Sequence, residues 1–380
     1  MQRVLIVHNH YRIPGGEDTV AESEAKLLRE HGHEVFLYER SNDEACGKLT
    51  MALESIFSIR SYREIRALIR RERIDIVHVH NTLHRISMAV YYAAKAEGVP
   101  VVQTMHNFRL LCPAGTFFRD GRVCEDCTGL KGCPALKHRC YRGSLLQTAV
   151  IVLSNAIHKR TGILKDVNFI CLTEFNRDKL LLLNRKKRII DPDRIFIKAN
   201  YTEQAKPGET GDYYLVLGRI ERLKGSALIA KAFAENGKRV VFAGDGEQRK
   251  SLEQYISRRG IDTMECPGQL PHEEAMKLLS GAKALIVAPQ WYETFGLGVI
   301  EAFSRGVPVI AADFGNPGSL VTDGENGVLF KNSVQGLCEA VERFESLDRS
   351  RLSENALREY EEKYSPEVNY RRLKEIYDSL

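Results

Sequence analysis

No stretch of this 380-residue chain stays apolar for long. The longest, Met88 to Ala94, stops at Lys95, well short of the about 18 residues a membrane-spanning helix needs. The N-terminal run Val4 to Val7 is also shorter than the about 7–15 residues of a secretory core. A cytoplasmic location is therefore expected. Asn200-Tyr-Thr202 fits a glycosylation acceptor and is read as chance. No charge sign dominates either: 55 Lys+Arg stand against 50 Asp+Glu, a net charge of +5. A nucleic-acid binder usually shows a stronger bias. The nine cysteines are too few for a disulfide scaffold and are expected to be reduced. At 28% charged and 43% hydrophobic, the chain is neither disordered nor fibrous. Its length fits two domains.

What is present is alternation. Apolar runs at Val4–Val7, Val35–Tyr38, Ile74–Val79 and Val99–Thr104 are separated by helical spacing at Glu17–His31, Tyr62–Arg71 and Met88–Glu97. Continuous apolar runs are strands buried on both faces, and strand–helix alternation predicts a doubly wound parallel sheet. The pattern restarts with strands Tyr213–Leu217, Arg239–Phe242, Ala284–Val287 and Val307–Ala311 around the helix Ser226–Glu235. The predicted α/β domains are 1–205 and 206–362, with a terminal helix over 363–380. The seam is placed where Pro207, Gly208 and Gly211 break the periodicity. Residues 1–205 carry 32 Lys+Arg and 23 Asp+Glu (net +9), and residues 206–380 carry 23 and 27 (net −4). Such asymmetry marks a partner. The basic half suits an acidic acceptor at the inner face of an anionic membrane. Ser144–Ile163 either lies on that surface or packs on the first sheet. Arg60 to Arg73 reads as a solvated basic face.

The most specific motif is Trp291-Tyr-Glu-Thr-Phe-Gly-Leu-Gly-Val-Ile-Glu-Ala302. Glu293 ends a loop after a strand, and Glu301 lies about one turn into the next helix. The amides of Phe295, Gly296 and Leu297 fall at that helix's start, where unpaired N–H groups attract anions. Glu293 suits sugar hydroxyls, and Glu301 can accept from a ribose diol. In Gly218-Arg-Ile-Glu-Arg-Leu-Lys-Gly225, Arg219 and Lys224 follow the second domain's first strand. An Arg fork plus a Lys point charge suits a diphosphate at a strand's C-terminal end. Gly15-Gly16, His106 and Gly244-Asp-Gly246 stand at further strand-to-helix junctions. The Gly15-Gly16 loop is too long for the dinucleotide fingerprint. Asp191-Pro-Asp193 reads as a charged turn.

In this order the motifs resemble the retaining glycosyltransferases of family four, group 1. Their GT-B architecture is two facing Rossmann-like domains with a cleft between them and a C-terminal helix returning to the first. The resemblance implies a hexosyltransferase using a UDP- or GDP-linked sugar donor and a glycan or lipid-linked saccharide acceptor, in bacterial surface polysaccharide synthesis. It implies same-face attack assisted by the leaving phosphate, with neither a protein nucleophile nor a catalytic metal. The catalytic set is then His106, Arg219, Lys224 and Glu293. Arg219 and Lys224 grip the diphosphate, Glu301 holds the ribose, and Glu293 holds the donor sugar with the Phe295, Gly296 and Leu297 amides. Gly15 and Gly16 admit backbone to the phosphate, Gly268 lies at the base, and His106 sits beside the sugar. Two other functions stay open. A sugar-nucleotide epimerase would need a distinctive pair of catalytic acids, which is not found. A zinc-containing nucleic-acid-binding protein leaves Glu293, Glu301 and the acidic second half unexplained, so nucleic acid is not an expected partner.

Five cysteines (Cys112, Cys124, Cys127, Cys133 and Cys140) fall in one turn-rich insert, 112–140. Cys124-Glu-Asp-Cys127 is a knuckle of structural-zinc spacing. Cys112 and Cys140, which bracket the insert, complete the expected ligand set, with Cys133 or His138 as replacements for one of them. Free thiols are the alternative. The insert is expected to shape the acceptor pocket.

Overall fold

The structure is a computed structural model describing residues 1–11, 15–128, 133–209 and 211–380. Parts of the predicted first loop (12–14), of the cysteine insert (129–132) and of the seam (210) lie outside the described residues. The chain divides into two units. The first holds Met1–Arg119, Cys124–Ala199 and Tyr370–Leu380, and the second holds Asp120–Val123 and Asn200–Asn369.

The first unit's strands are β1 (Arg3–His10), β2 (Glu34–Ser41), β3 (Ile76–Asn81), β4 (Val101–Thr104), the hairpin strands β5 (Phe118–Arg119) and β6 (Arg122–Val123, at the unit boundary), β7 (Val167–Cys171) and β8 (Ile195–Ile197). Six of them form one parallel sheet in the order β2-β1-β3-β4-β7-β8. Successive strand residues face opposite sides. Leu5, Val7, Val77, Val79 and Phe169 therefore pack with Ile65, Ile69 and Val90. Val4, Ile6, Ile76, Val102 and Ile170 pack on the other face with Ala25, Leu28, Leu373 and Ile376. This two-sided burial is why those strands read as unbroken apolar runs.

The second unit's strands are β9 (Tyr214–Leu217), β10 (Val240–Ala243), β11 (Met264–Gly268), β12 (Leu285–Val287), β13 (Val309–Ala312) and β14 (Gly327–Phe330). They form a parallel sheet in the order β11-β10-β9-β12-β13-β14, the Rossmann order. Tyr214, Val216, Phe242, Ile286 and Ile310 pack one face against Ile229, Phe233, Leu337 and Phe344.

The division falls between Ala199 and Asn200, ahead of the break predicted after 205. The cause is local. Tyr360 donates to the Thr202 carbonyl (2.9 Å), and the Thr202 amide reaches the Tyr364 carbonyl (3.3 Å), tying this segment to the second unit's helix Arg349–Lys363. The insert's hairpin turn, 120–123, likewise groups with the second unit. The terminal helix is Pro366–Asp378 rather than 363–380. It joins the first unit from Tyr370 onward, where the Tyr370 ring stacks on His31 at 3.6 Å and Tyr377 Oη lies 2.6 Å from His78 Nδ1.

Helix Leu145–Thr161 is inverted relative to a normal amphipathic helix. Its buried residues are mostly polar: Thr148, Ser154, Asn155 and His158, with Ile151. Each polar one has a partner. Ser154 donates to the Ser55 carbonyl (3.1 Å), Asn155 to the Arg109 carbonyl (2.8 Å), and His158 Nε2 lies 2.9 Å from the Ile56 carbonyl. Leu145, Leu146, Leu153 and Ile157 are exposed, as are Leu49 and Leu53 on the adjoining helix Lys48–Ile56. Among the described residues, no helix is long and apolar enough to cross a membrane.

Candidate active site

In the second sheet, strand order reverses between β9 and β12, the switch point at which open α/β sheets bind ligands. After β9, the short turn Arg222–Lys224 ends at Gly225, whose φ is +76°. A Cβ there would stand 2.1 Å from the Ala288 carbonyl oxygen, so only glycine allows the β9 loop to lie against the end of β12. The Gln290 amide bonds the Leu223 carbonyl (2.8 Å) across this contact. Lys224 Nζ consequently meets Glu293 Oε1 at 2.6 Å. The Glu293 backbone is fixed in turn by the buried Asn316, whose Nδ2 donates to its carbonyl (2.6 Å). Arg219 stands apart from this pair. It is 62% exposed and bonds Glu221 (2.8 Å).

Helix Leu297–Phe303 starts at Gly296 (φ +115°), beside the buried Phe295. Glu301 is half-buried within it, and burial raises its carboxyl pKa against the opposing pull of Arg305 and His272. Along the same sheet edge, β9, β10 and β11 end at Gly218, Gly244 and Gly268. The Gly218 amide bonds Ala243 (3.0 Å), and the Gly244 amide bonds Gly268 (2.8 Å). A Cβ on Gly244 would lie 1.9 Å from the Gly218 carbonyl oxygen. The edge offers backbone that a ligand can approach at the exposed Gly218, while Gly268 is buried beneath the Arg249 guanidinium.

In the first unit, Gly15 precedes helix Gly16–Glu30. Its amide bonds Asp18 Oδ2 (2.7 Å), and the Asp18 amide bonds its carbonyl (3.0 Å). Asp18 Oδ1 is 2.9 Å from both His8 Nε2 and His10 Nδ1. Burial works against a charged His10, but Asp18 and Glu39 on either side raise its pKa. His106 follows β4 and is one of a row of histidines: its ring stacks on His80 (5.2 Å), and the His80 ring stacks on His78 (4.6 Å). A cavity of about 70 Å³ lies beside them, lined by His80, His106, Asn107 and Arg109 among others. Near it, burial pushes the Glu17 carboxyl up to about 7 despite Arg109. His80, Glu24 and Lys198 escaped the sequence reading. One signal was available: Glu24 sits on the apolar helix stripe formed by Ala21, Ala25 and Leu28, where a solvated carboxylate does not belong.

None of the five insert cysteines forms a disulfide. Burial pushes Cys127 up to about 12, with Cys112, Cys133 and Cys140 adding to the rise. Burial also raises Cys140, with Cys112 and Cys124 contributing. The five are therefore neighbours. No three of their sulfurs lie within 4.8 Å of one another; the described residues that meet that spacing are His8, His10 and Asp18, and Glu24, His78 and His80.

Two family profiles match the chain. "Glycosyl transferases group 1" matches residues 198–360, and "Glycosyltransferase Family 4" matches 14–123. The chain belongs to the family-four, group 1 glycosyltransferases. Alpha-D-kanosaminyltransferase of Streptomyces kanamyceticus is 32% identical over 177 residues, covering 44% of this chain and 45% of that protein. The chain spans about half the length of the curated relatives it matches. Anabaena HepE, solved with UDP and glucose, superposes with a TM-score of 0.69 at 15% identity, covering all of both chains. The lipopolysaccharide outer core galactosyltransferase WaaB gives 0.67 at 15%, covering 100% and 99%. At such identity the likeness concerns the fold, and the fold of this family-four member is GT-B. The group 1 match spans the whole switch-point region, including Lys224, Glu293 and Glu301, and the family-four match includes Gly15, Gly16 and His106.

Proposed function

We propose that this protein transfers a sugar from a UDP- or GDP-linked donor to a glycan or lipid-linked saccharide, with retention of anomeric configuration and in bacterial surface polysaccharide synthesis. The carrying observation is the Lys224–Glu293 contact at the switch point, beside the glycine strip of β9, β10 and β11. A cation for the departing diphosphate and a carboxylate for sugar hydroxyls are thereby placed together. Preorganised charge of this kind acts directly on a leaving group. Lys224 and Arg219 take the diphosphate, Arg219 by leaving Glu221. Glu293 takes the sugar, with the Phe295, Gly296 and Leu297 amides. Glu301 takes the ribose, and the strip ending at Gly268 takes the base. In the first unit, Gly15 and Gly16 serve the phosphate and His106 the sugar. The leaving phosphate assists deprotonation of the acceptor, and no metal is assigned to the chemistry. HepE, whose structure holds UDP and glucose, and WaaB, named for lipopolysaccharide, share the fold and agree with this reading.

The same reading places the protein in the cytoplasm at an anionic membrane. The exposed leucines of helices Leu145–Thr161 and Lys48–Ile56, beside the exposed Lys48, Arg142 and Arg160, form an apolar face with a basic rim. It also assigns structural zinc to Cys112, Cys124, Cys127 and Cys140. Crowded buried thiols raise one another's pKa, and a divalent cation relieves that repulsion as their sulfurs draw into a tetrahedron.

A thermal-shift panel of nucleotide sugars tests the donor assignment. A true donor at 100 times its Kd adds about 2.7 kcal/mol, and a panel in which no UDP- or GDP-sugar stabilises the protein overturns it. Nucleotide release that requires an acceptor separates transfer from epimerisation.

A further inference from the structure

Behind His106 lies a run of buried polar groups drawn from four separate segments. Lys198, just after β8, places Nζ 2.9 Å from Glu24 Oε1. Glu24 Oε2 lies 3.4 Å from His80 Nε2. His80 Nδ1 is hydrogen-bonded to His106 Nε2 at 3.0 Å. Lys198, Glu24 and His80 are each no more than 3% exposed.

The protons in this run are determined by elimination. Burial lowers the pKa of both imidazoles, His106 to about 3, so both are neutral near pH 7 and carry one ring proton each. Burial opposes ionisation of Glu24, but Lys198 nevertheless holds its pKa below the ordinary carboxylate value. An ionised carboxylate only accepts. Lys198 Nζ faces one of its oxygens and His80 Nε2 the other. The 3.4 Å approach of His80 is not aligned as a hydrogen bond, so it is the carboxylate's charge, which repels a ring lone pair and attracts an N–H, that sets the His80 proton on Nε2. Nδ1 of His80 is then a bare acceptor, and the proton in its bond to His106 belongs to His106 Nε2. That leaves Nδ1 of His106 without a proton. It makes no hydrogen bond among the described residues and is not among their buried unpaired atoms.

We propose that Glu24, held by Lys198, acts through His80 to fix the tautomer of His106, so that His106 offers a bare Nδ1 acceptor to its ligand. Glu24 and His80 are positioning residues. The partner of Nδ1 must be a donor: a hydroxyl or an N–H accepts this role, whereas a carboxylate or phosphate oxygen is disfavoured. The inference rests on the assignment of His106 to the sugar only for the identity of that ligand; the tautomer itself is independent of it.

The direct test is nitrogen NMR of the full-length, 15N-histidine-labelled protein at pH 7. His106 is expected to show a pyridine-like Nδ1 and a protonated, pyrrole-like Nε2. The opposite assignment, or rapid averaging of the two, overturns the proposal whatever the enzyme's activity. Glu24→Gln provides a second test. Lys198 keeps the amide oxygen and turns its NH₂ toward His80, so the whole run reverses and the His106 proton moves to Nδ1. If Glu24→Gln does not fold, His80→Leu serves in its place: it frees His106 to average between tautomers. In turnover, His80→Leu is expected to lower kcat/KM about tenfold, and His80→Leu with His106→Ala to be no slower than His106→Ala alone. Independent, multiplicative losses at unchanged thermal stability would show that His80 does not act through His106. A normal His106 tautomer with no donor binding at all would leave this proposal standing and reject the donor reading instead.

Discussion

Lys224 and Glu293, 69 residues apart in sequence, meet at 2.6 Å because Gly225 lets the β9 loop rest on the end of β12. The pair is only partly shielded, with side-chain exposures of 29% and 16%, so a ligand can reach both members. Its contribution to stability is modest, about 0–1 kcal/mol for such an accessible ion pair. In the proposed transfer, its value lies in placing opposite charges where a diphosphate and a sugar are to be separated.

Lys224→Ala and Glu293→Ala are each expected to lower kcat by about 10²–10³, the range for removing one preorganised charge contact, while thermal stability moves little. The double variant should be far less than multiplicative, since each single change already deprives the other residue of its partner. Steady-state kinetics beside a melting curve separates loss of chemistry from loss of fold. Turnover within about threefold of the parent in both single variants would remove the pair from the mechanism.

The pH dependence of donor binding follows from Glu301. Its carboxyl pKa is raised by burial, and in the proposed ribose role it accepts both hydroxyls of the diol, one at each oxygen, only when ionised. As pH falls, Glu301 protonates earlier than an ordinary carboxyl would and affinity for the nucleotide sugar declines. The donor's diphosphate, esterified at both ends, keeps its charge meanwhile. In Glu301→Gln, titration calorimetry should show weaker binding with a flat profile. A wild-type profile that is also flat rejects the ribose role.

Much of this molecule is legible in the sequence, for reasons visible in its packing. Strands buried on both faces show as apolar runs, so β1, β3, β4, β9, β10 and β13 stand out. Among the described residues, six strands do not. The hairpin strands β5 and β6 have two residues each, Asn168 interrupts β7, β8 has only three residues, β14 opens on Gly327, and β11 contains Glu265 and Pro267. Pro267 is tolerated because β11 is an edge strand. Lys224 and Glu293 are each conspicuous in their motifs, yet their contact depends on a close approach of two loops that no local pattern encodes. The Lys198–Glu24–His80 run is hidden for the same reason, since its members come from different elements. Helix Leu145–Thr161 misleads, because its apolar residues suggest a core face and the structure buries its polar side.

Its exposed face gives a membrane prediction. Leu146→Asp and Leu153→Asp replace leucines that are 74% and 50% exposed. Folding stability should therefore change by less than about 0.5 kcal/mol. Co-sedimentation with vesicles containing phosphatidylglycerol should drop severalfold, and the wild type should bind neutral vesicles weakly. Equal binding of the wild type and both variants would free this surface from the membrane.

For the cysteine insert, protein purified from zinc-supplemented cells should carry about one zinc per chain. Cys124→Ser and Cys127→Ser should lose it, and a chelator should lower the melting temperature of the parent but not of these variants. The same chelator should weaken acceptor affinity if the insert shapes that pocket. Metal-free protein with an unchanged melt identifies the five residues as free thiols.

Acid should destabilise the first unit well above the ordinary carboxylate range. Burial pushes His78 and His84 down to about 4 and His106 to about 3, whereas in the unfolded chain each titrates near about 6.5. Their stabilising contribution is therefore complete above that value and is lost as pH falls toward about 4. Glu17 opposes them: pushed up to about 7, it takes up its proton in the folded state first and offsets one of the three. The unfolded chain thus binds more protons than the folded one across this window, and stability falls as the pH is lowered. Hydrogen exchange of the β1 and β3 amides, measured from pH 7.5 to 5, reads this opening directly once the intrinsic pH effect on exchange is removed. Burial lowers His80 as well, which steepens the decline. A protected core of constant free energy down to pH 5 would mean that these histidines accept protons in place. The neutral imidazole pair from which the His106 tautomer was deduced would then not exist.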